Sequence, residues 1–165
     1  MIHYPFFMNE LRNALPSYPI ALSSYRYPNY HLSLPWKDFL SKCDYNMPQV
    51  YWEKAHNPDE QLTRSLKEFQ LIEPFRPIIP TGAAYAASDW VPTPSDIKKF
   101  LDTTTSLNIP AASFWSWDYC RLKLPEIWQC IAEYVWPGTT PVKPSIPESF
   151  IDSLAKRNVP LLLNL

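Results

Sequence analysis

Glycine is nearly absent from this sequence, which contains two glycines in 165 residues. Glycine normally makes up about 7% of a chain, so the turns here must rely on Pro, Asn, Asp and Ser instead. Two glycines also cannot supply the three that a G-x-G-x-x-G dinucleotide-binding turn requires. The sequence therefore disfavours a nucleotide or phosphate site of that kind, and we expect no cofactor.

A charge bias and a long apolar run are absent as well. The formal net charge is −1, which provides no basic surface for nucleic acid. No segment approaches the roughly 18 apolar residues of a membrane span, and the opening MIHYPFF lacks the features of a signal peptide. We therefore expect neither a nucleic acid nor a membrane as a partner, with the cytoplasm as the default location.

The residues that usually hold metals or form disulfides are few. Cys43, Cys120 and Cys130 are odd in number and show no C-x-x-C spacing, so we expect buried, reduced thiols. His31 and His56 lie in predicted loops without a second ligand at metal-binding spacing. The sequence therefore predicts no metal site.

Four short apolar runs have the composition of strands, and residues with helical spacing lie between them. The runs recur at intervals of roughly 30 residues, close to the unit length of an eight-unit (β/α) barrel of about 250 residues. Asn57 and Thr93 are the strongest helix start signals, since each is followed by Pro and by acidic residues. The predicted strands are 19–25, 45–52, 76–85 and 111–117, and the predicted helical segments are 5–15, 36–43, 62–69, 97–104 and 127–135.

Strands that alternate with helices imply a parallel sheet, because a parallel neighbour is reached only through a crossover connection. We therefore predict an α/β fold, specifically a partial (β/α)8 TIM barrel of about four βα units, equivalent to strands 5–8, with parallel strands in sequential order. The alternative is a small, complete doubly wound domain with an interaction role. Strand order separates the two, because a doubly wound sheet reverses direction at a switch point.

The composition changes after Trp136. Residues 1–136 carry the strand and helix signals, and we assign them to the C-terminal half of a barrel domain. Residues 137–147, PGTTPVKPSIP, are Pro-rich and are predicted to form an extended linker. Residues 148–165 are predicted to begin a further element or to form a tail.

Aromatic and polar side chains cluster where the predicted strands end, and ligands of parallel α/β sheets bind at those carboxyl ends. A ring there can stack on the apolar face of a sugar, while amide, guanidinium and carboxylate groups bond its hydroxyls. Trp and Tyr more commonly fill cores, so that interpretation stays open for each ring. The period of two predicts one shared face for Met47, Gln49 and Tyr51 and another for Ser113, Trp115 and Trp117. The predicted substrate-binding residues are Tyr25, Arg26, Gln49, Tyr51, Trp52, Trp115, Trp117 and Asp118.

Two motifs carry a resemblance to known enzymes. MPQVYW (47–52) and ASFWSWDY (112–119) resemble strands six and eight of barrel glycoside hydrolases, and the nearest pattern is the chitinase-like glycoside hydrolase family 18. More loosely, the chain resembles bacterial barrel domains of the wider glycosidase superfamily. The resemblance implies that Tyr51 is a substrate-facing tyrosine and Trp115 a tryptophan beneath a sugar. The Asp of the family's strand-six motif falls on Trp52.

Glycoside hydrolysis normally requires two carboxyl groups flanking the bond, or one acid assisted by the substrate. The resemblance places the principal acid after strand four, on an N-terminal half that would precede these residues. Glu53 and Asp118 are the catalytic candidates that remain, and we expect this chain alone to be inactive. The predicted partners are a polysaccharide or oligosaccharide, and an N-terminal half-barrel of the same chain or a second copy that completes the sheet. The alternative function is a non-catalytic glycan-binding module.

Overall fold

The computed structural model describes residues 4–137, and within them the protein has a mixed α/β fold. The strands form one parallel sheet in the order β1-β2-β3-β4, without a reversal among these four strands. The predicted parallel sheet in sequential order is therefore confirmed. The strands are β1 (Ala21–Tyr25), β2 (Tyr45–Val50), β3 (Thr81–Ala83) and β4 (Ser113–Trp115), each shorter than its predicted run.

Helices follow the strands as the sequence predicts, with two additions. A 3-10 turn (Pro28–Tyr30) follows β1, and a second helix begins directly after β4, where the sequence pattern had suggested continued strand. None of the helices within 4–137 has the length and apolarity needed to cross a membrane. The helices are α1 (Tyr4–Ala14), α2 (Trp36–Leu40), α3 (Pro58–Phe69), α4 (Pro94–Ser106), α5 (Trp117–Lys123) and α6 (Pro125–Ala132).

The predicted domain division stays a prediction, since most of the residues after the predicted boundary lie outside the described part of the chain. One compact unit ends at Tyr134 and a second begins at Val135, close to the predicted boundary after Trp136. The predicted linker 137–147, apart from Pro137, and the predicted element 148–165 lie outside the described residues.

The two helix start signals differ in how they work. Thr93 forms a complete capping box: its hydroxyl accepts a hydrogen bond from the Asp96 amide at 3.2 Å, and Asp96 Oδ2 accepts one from the Thr93 amide at 2.8 Å. Asn57 occupies the N-cap of α3 but caps no backbone amide. Its side chain instead donates to Glu60 at 2.7 Å and accepts from Gln61 at 3.0 Å.

The sheet has one face covered by helices and one that is largely open. A Cβ at Gly82 would lie 2.8 Å from ring carbons of both Phe100 and Phe114, so this position of β3 faces α4. Because side chains alternate along a strand, the positions next to it face the other way. We call that other side the open face; its residues are Ser23, Tyr25, Met47, Gln49, Thr81, Ala83, Ser113 and Trp115, of which Thr81 and Ala83 in β3 are buried.

The core lies between the sheet and helices α3 and α4. The ring of Phe100 packs against Trp52 with ring centroids 5.1 Å apart and against Phe114 at 5.6 Å. A second cluster joins Trp36 to Phe69 edge to face at 5.4 Å. The free cysteines contribute to the interior unequally: Cys43 and Cys120 are buried as predicted, and Cys130 is only half-buried.

Arg12 ties α1 to the start of the sheet. Its guanidinium donates to the carbonyl of Lys42 and, at 2.7 Å, to Asp44 Oδ2. The same carboxylate oxygen accepts a 2.7 Å hydrogen bond from the amide of Ile20, just before β1. These contacts hold the pKa of Asp44 below its usual value, with the Ile20 amide as the largest cause and the Arg12 hydrogen bond next.

Acid should therefore weaken the fold partly through Asp44. A carboxyl group whose pKa is lowered by folding stabilises the native state above its unfolded-state pKa, and that contribution is lost as pH falls through the folded-state pKa. We expect Asp44→Asn to be less stable than the wild type at neutral pH and to lose less stability between neutral pH and about pH 3. Thermal unfolding at a series of pH values measures this difference. The control is Asp89→Asn, which removes an exposed carboxyl group from the loop between β3 and α4. Identical pH profiles for the wild type and both variants would show that Asp44 has no such role.

The capping box gives a second expectation. Replacing Thr93 by Ala removes the acceptor for the Asp96 amide and should lower the free energy of unfolding by about 1 kcal/mol. Ser95→Ala, in the same first turn of α4 but without a cap contact, should change it by less than about 0.5 kcal/mol. Urea unfolding of both variants measures the difference, and equal effects would mean that the cap does not stabilise α4.

Candidate functional site

A pocket of about 280 Å³ lies at the carboxyl ends of β1 and β2. This is the edge at which parallel α/β sheets bind their ligands. Five of the predicted site residues line it, and they come from two strand ends that are adjacent in the sheet. The lining residues are Tyr25, Arg26, Tyr27, Tyr30, His31, Gln49, Tyr51 and Glu53.

Tyr25 provides an exposed ring at this pocket. It is the last residue of β1, 51% exposed, and stacked on His31 with ring centroids 3.6 Å apart and planes 13° from parallel. Gln49 pairs with it across the strands, and its amide donates to the hydroxyl of Ser23 at 3.2 Å. His31 covers one face of the Tyr25 ring and holds the ring in place, and the Gln49 amide presents polar groups beside it.

Arg26 is held at the pocket wall by two contacts. Its Nη1 donates to the backbone carbonyl of Tyr51, and its guanidinium carbon lies 4.6 Å from the centre of the Tyr27 ring. Arg64 of α3 also packs on Tyr27, at 3.9 Å, and pairs with Glu68 at 2.8 Å. The strand end thus carries a cation whose orientation is set by the backbone and by an aromatic ring.

Glu53 brings a carboxylate to the same pocket. Its Oε2 accepts a 3.1 Å hydrogen bond from the hydroxyl of Tyr85, whose ring meets Tyr51 edge to face at 5.5 Å. Burial and, secondly, the hydrogen bond to Glu53 raise the pKa of Tyr85 well above its usual value, and burial alone raises that of Tyr51. Both phenols are therefore protonated at neutral pH, and the Tyr85 hydroxyl donates the hydrogen bond that orients the Glu53 carboxylate.

Trp52 does not line any part of this site. Its indole is fully buried and packs on Phe100, because position 52 has the same parity as Val50 and points towards the helix layer. The prediction that Trp52 contacts a ligand therefore finds no support in its position. Its indole nitrogen has no hydrogen-bond partner in the described structure.

The residues after β4 do not reach the pocket at β1 and β2. Trp115 ends β4 on the open face and is 61% exposed. Trp117 begins α5, so the predicted shared strand face of Ser113, Trp115 and Trp117 is corrected: a helix start follows Trp115, and Trp117 leaves the strand geometry. Its ring packs edge to face on Trp128 at 5.9 Å.

Asp118 is committed to a local contact in the first turn of α5. The hydroxyl of Ser116 donates to its carboxylate at 2.6 Å, and this bond is the main cause of a pKa below the usual value for Asp118. The carboxylate does not line the pocket that contains Glu53. The two candidate catalytic acids of the sequence are therefore not brought together in that pocket.

Several side chains at or near the pocket were not predicted as site residues from the sequence. Tyr27, Tyr30 and Tyr85 follow strand ends, and extending the search from each last strand residue into its loop would have found them. His56 forms a 2.7 Å hydrogen bond through Nδ1 to the buried carboxylate of Asp96, a pair separated by 40 positions that no local pattern signals. Within residues 4–137, no three His, Cys, Asp or Glu side chains come together as a metal site would need.

Comparison with known proteins assigns no family to the chain. It matches no protein-family model, and no curated protein is similar enough in sequence to count as a relative. The resemblance to glycoside hydrolase family 18 therefore rests on the two strand motifs and stays a prediction.

Proposed function

We propose that the protein binds an oligosaccharide along the carboxyl edge of its open face. The observation that carries this proposal is the exposed Tyr25 ring, stacked on His31 and bordered by Gln49 and Glu53 in one pocket. A ring held flat beside an amide and a carboxylate matches the two-sided chemistry of a sugar. Its C–H face needs an apolar surface, and its hydroxyls need both donors and acceptors.

The position of Trp115 supports a ligand longer than one sugar. Tyr25 and Trp115 lie on the same face of the first and fourth strands, separated by three strand spacings of about 4.8 Å each and by a two-residue offset along the strands. Both rings are more than half exposed, although large apolar rings are usually buried. A saccharide chain that crosses the strand ends would contact both rings at once.

We further infer that the four-stranded sheet is an arc of a (β/α)8 barrel, matching strands 5–8. Sequential order of parallel strands supports this inference, and so does the open face, because parallel sheets are normally covered on both sides. An N-terminal half-barrel or a second copy of the chain would supply the missing strands. In such a barrel the open face would look inward, towards the mouth where sugars bind.

Binding is better supported than cleavage by the described residues. Hydrolysis of a glycosidic bond commonly uses two carboxyl groups that flank it. Glu53 is the one carboxylate among the described residues that line the pocket at β1 and β2, and Asp118 is engaged by Ser116 elsewhere. We therefore propose that this chain holds and orients a saccharide, and that it releases no reducing ends on its own.

Removing the exposed rings tests the proposal. We expect Tyr25→Ala and Trp115→Ala each to weaken binding of a soluble polysaccharide about tenfold, which corresponds to about 1.4 kcal/mol, because the sugar loses its stacking surface. Affinity gel electrophoresis against a panel of soluble polysaccharides identifies a ligand, and calorimetry with its oligosaccharides measures the affinities.

Tyr18→Ala is the matched control. Tyr18 is also an exposed tyrosine, at 66% against 51% for Tyr25, but it precedes β1 and therefore lies towards the amino edge of the sheet. Its removal should leave the affinity unchanged. Failure of the wild-type chain to bind any polysaccharide in the panel, or an equal loss in all three variants, would refute saccharide binding at this edge.

A further inference from the structure

Arg26 is the cation of the pocket, and within residues 4–137 it forms no ion pair, with Glu53 the one carboxylate that lines the same pocket. The ion pairs of the described chain involve other cations, namely Arg12, His56, Arg64, Lys98 and Lys99. Arg26 borders the pocket at β1 and β2 and also the adjoining cavity beside α3. A guanidinium at a ligand-binding edge without its own counter-ion is available for an anion.

The guanidinium also has unused hydrogen-bond donors. Of its five N–H groups, the one contact to a described residue is from Nη1 to the Tyr51 carbonyl, and Nε is buried without a partner. The contact to Tyr51 and the packing on Tyr27 fix its plane before any ligand arrives. Binding therefore requires little further ordering of this side chain, and ordering is a major cost of association.

The other charged group of the pocket restricts how a ligand can lie. Glu53 is an acceptor that Tyr85 already orients, so it favours hydroxyl donors and repels a second carboxylate. An anionic ligand group must therefore sit at Arg26 while hydroxyl groups of the same ligand face Glu53 and Gln49. A sugar that carries both a carboxylate and free hydroxyls meets both requirements.

We propose that the preferred ligand is an acidic saccharide, with the carboxylate of a uronic acid unit bound by Arg26. This inference rests on the proposed saccharide binding and deepens it. A guanidinium offers a planar fork of donors that matches the two oxygens of a carboxylate, and a neutral sugar leaves that fork unused. Tyr25 supplies the ring surface for the same sugar unit or for its neighbour.

Matched ligands test the proposal on the unmodified chain. Oligogalacturonate and its fully methyl-esterified form share rings and hydroxyls and differ in charge; oligoalginate gives a second uronate. Calorimetry at low salt should show at least one uronate binding about tenfold more tightly than its ester or a neutral oligosaccharide. Raising the salt concentration should reduce that preference, since the additional attraction is ionic.

Variants then assign the preference to Arg26. Arg26→Gln should bring the affinities for acid and ester to within about twofold, while Arg26→Lys should keep part of the preference because it keeps the charge. Lys37→Gln removes one exposed positive charge on α2 and should leave the preference intact. A preference that persists in Arg26→Gln would overturn the assignment.

The outcomes separate the two proposals. If neutral and acidic saccharides bind the wild-type chain equally well, the acidic-sugar inference fails and saccharide binding stands. If no saccharide of either kind binds, the proposed function itself fails. Because the acid and ester comparison uses the wild-type chain, it remains decisive even if an Arg26 variant does not fold.

Discussion

The close packing of Phe100 against the sheet is the contact on which the rest of the described structure depends. At Gly82 the strand has no side chain on the helix side, and the Phe100 ring fills that space directly against the backbone. The same ring touches Trp52 from the β2 loop and Phe114 of β4, so one side chain of α4 joins three neighbouring strand ends. Any larger residue at position 82 would have to displace one of these rings, and displacing core rings is costly.

This packing also determines where chemistry is possible. With the helix side of the sheet filled by large apolar rings, polar and exposed aromatic groups collect on the opposite face and at its carboxyl edge. Tyr25 and Gln49 reach the pocket by alternation along their strands, and Glu53 reaches it through the loop that Trp52 anchors in the core. The short segment from Val50 to Glu53 therefore contributes to both: Val50 and Trp52 lie in the core, and Tyr51 and Glu53 line the pocket.

The sequence predicted the fold more fully than it predicted the site. Alternation and helix start signals are local, and they identified all four strands and the starts of α3 and α4. The same alternation misled at the strand ends: Trp52 was expected at a ligand although its parity places it in the core, and Trp117 was expected on a strand although it begins a helix. Contacts such as Arg12 with Asp44 join residues 32 positions apart, and only the folded chain brings them together.

The distribution of the tryptophans has a practical consequence. Trp36, Trp52 and Trp90 are buried among rings of the core, whereas Trp115 and Trp117 are more than half exposed. The buried indoles therefore lie in an apolar environment and the exposed ones in water. The fluorescence of the buried group should lie at shorter wavelength and be protected from collisional quenchers, and that of the exposed group should lie at longer wavelength and be quenched. Global unfolding and events at the end of β4 could thus be followed separately in the same cuvette, without attaching a dye.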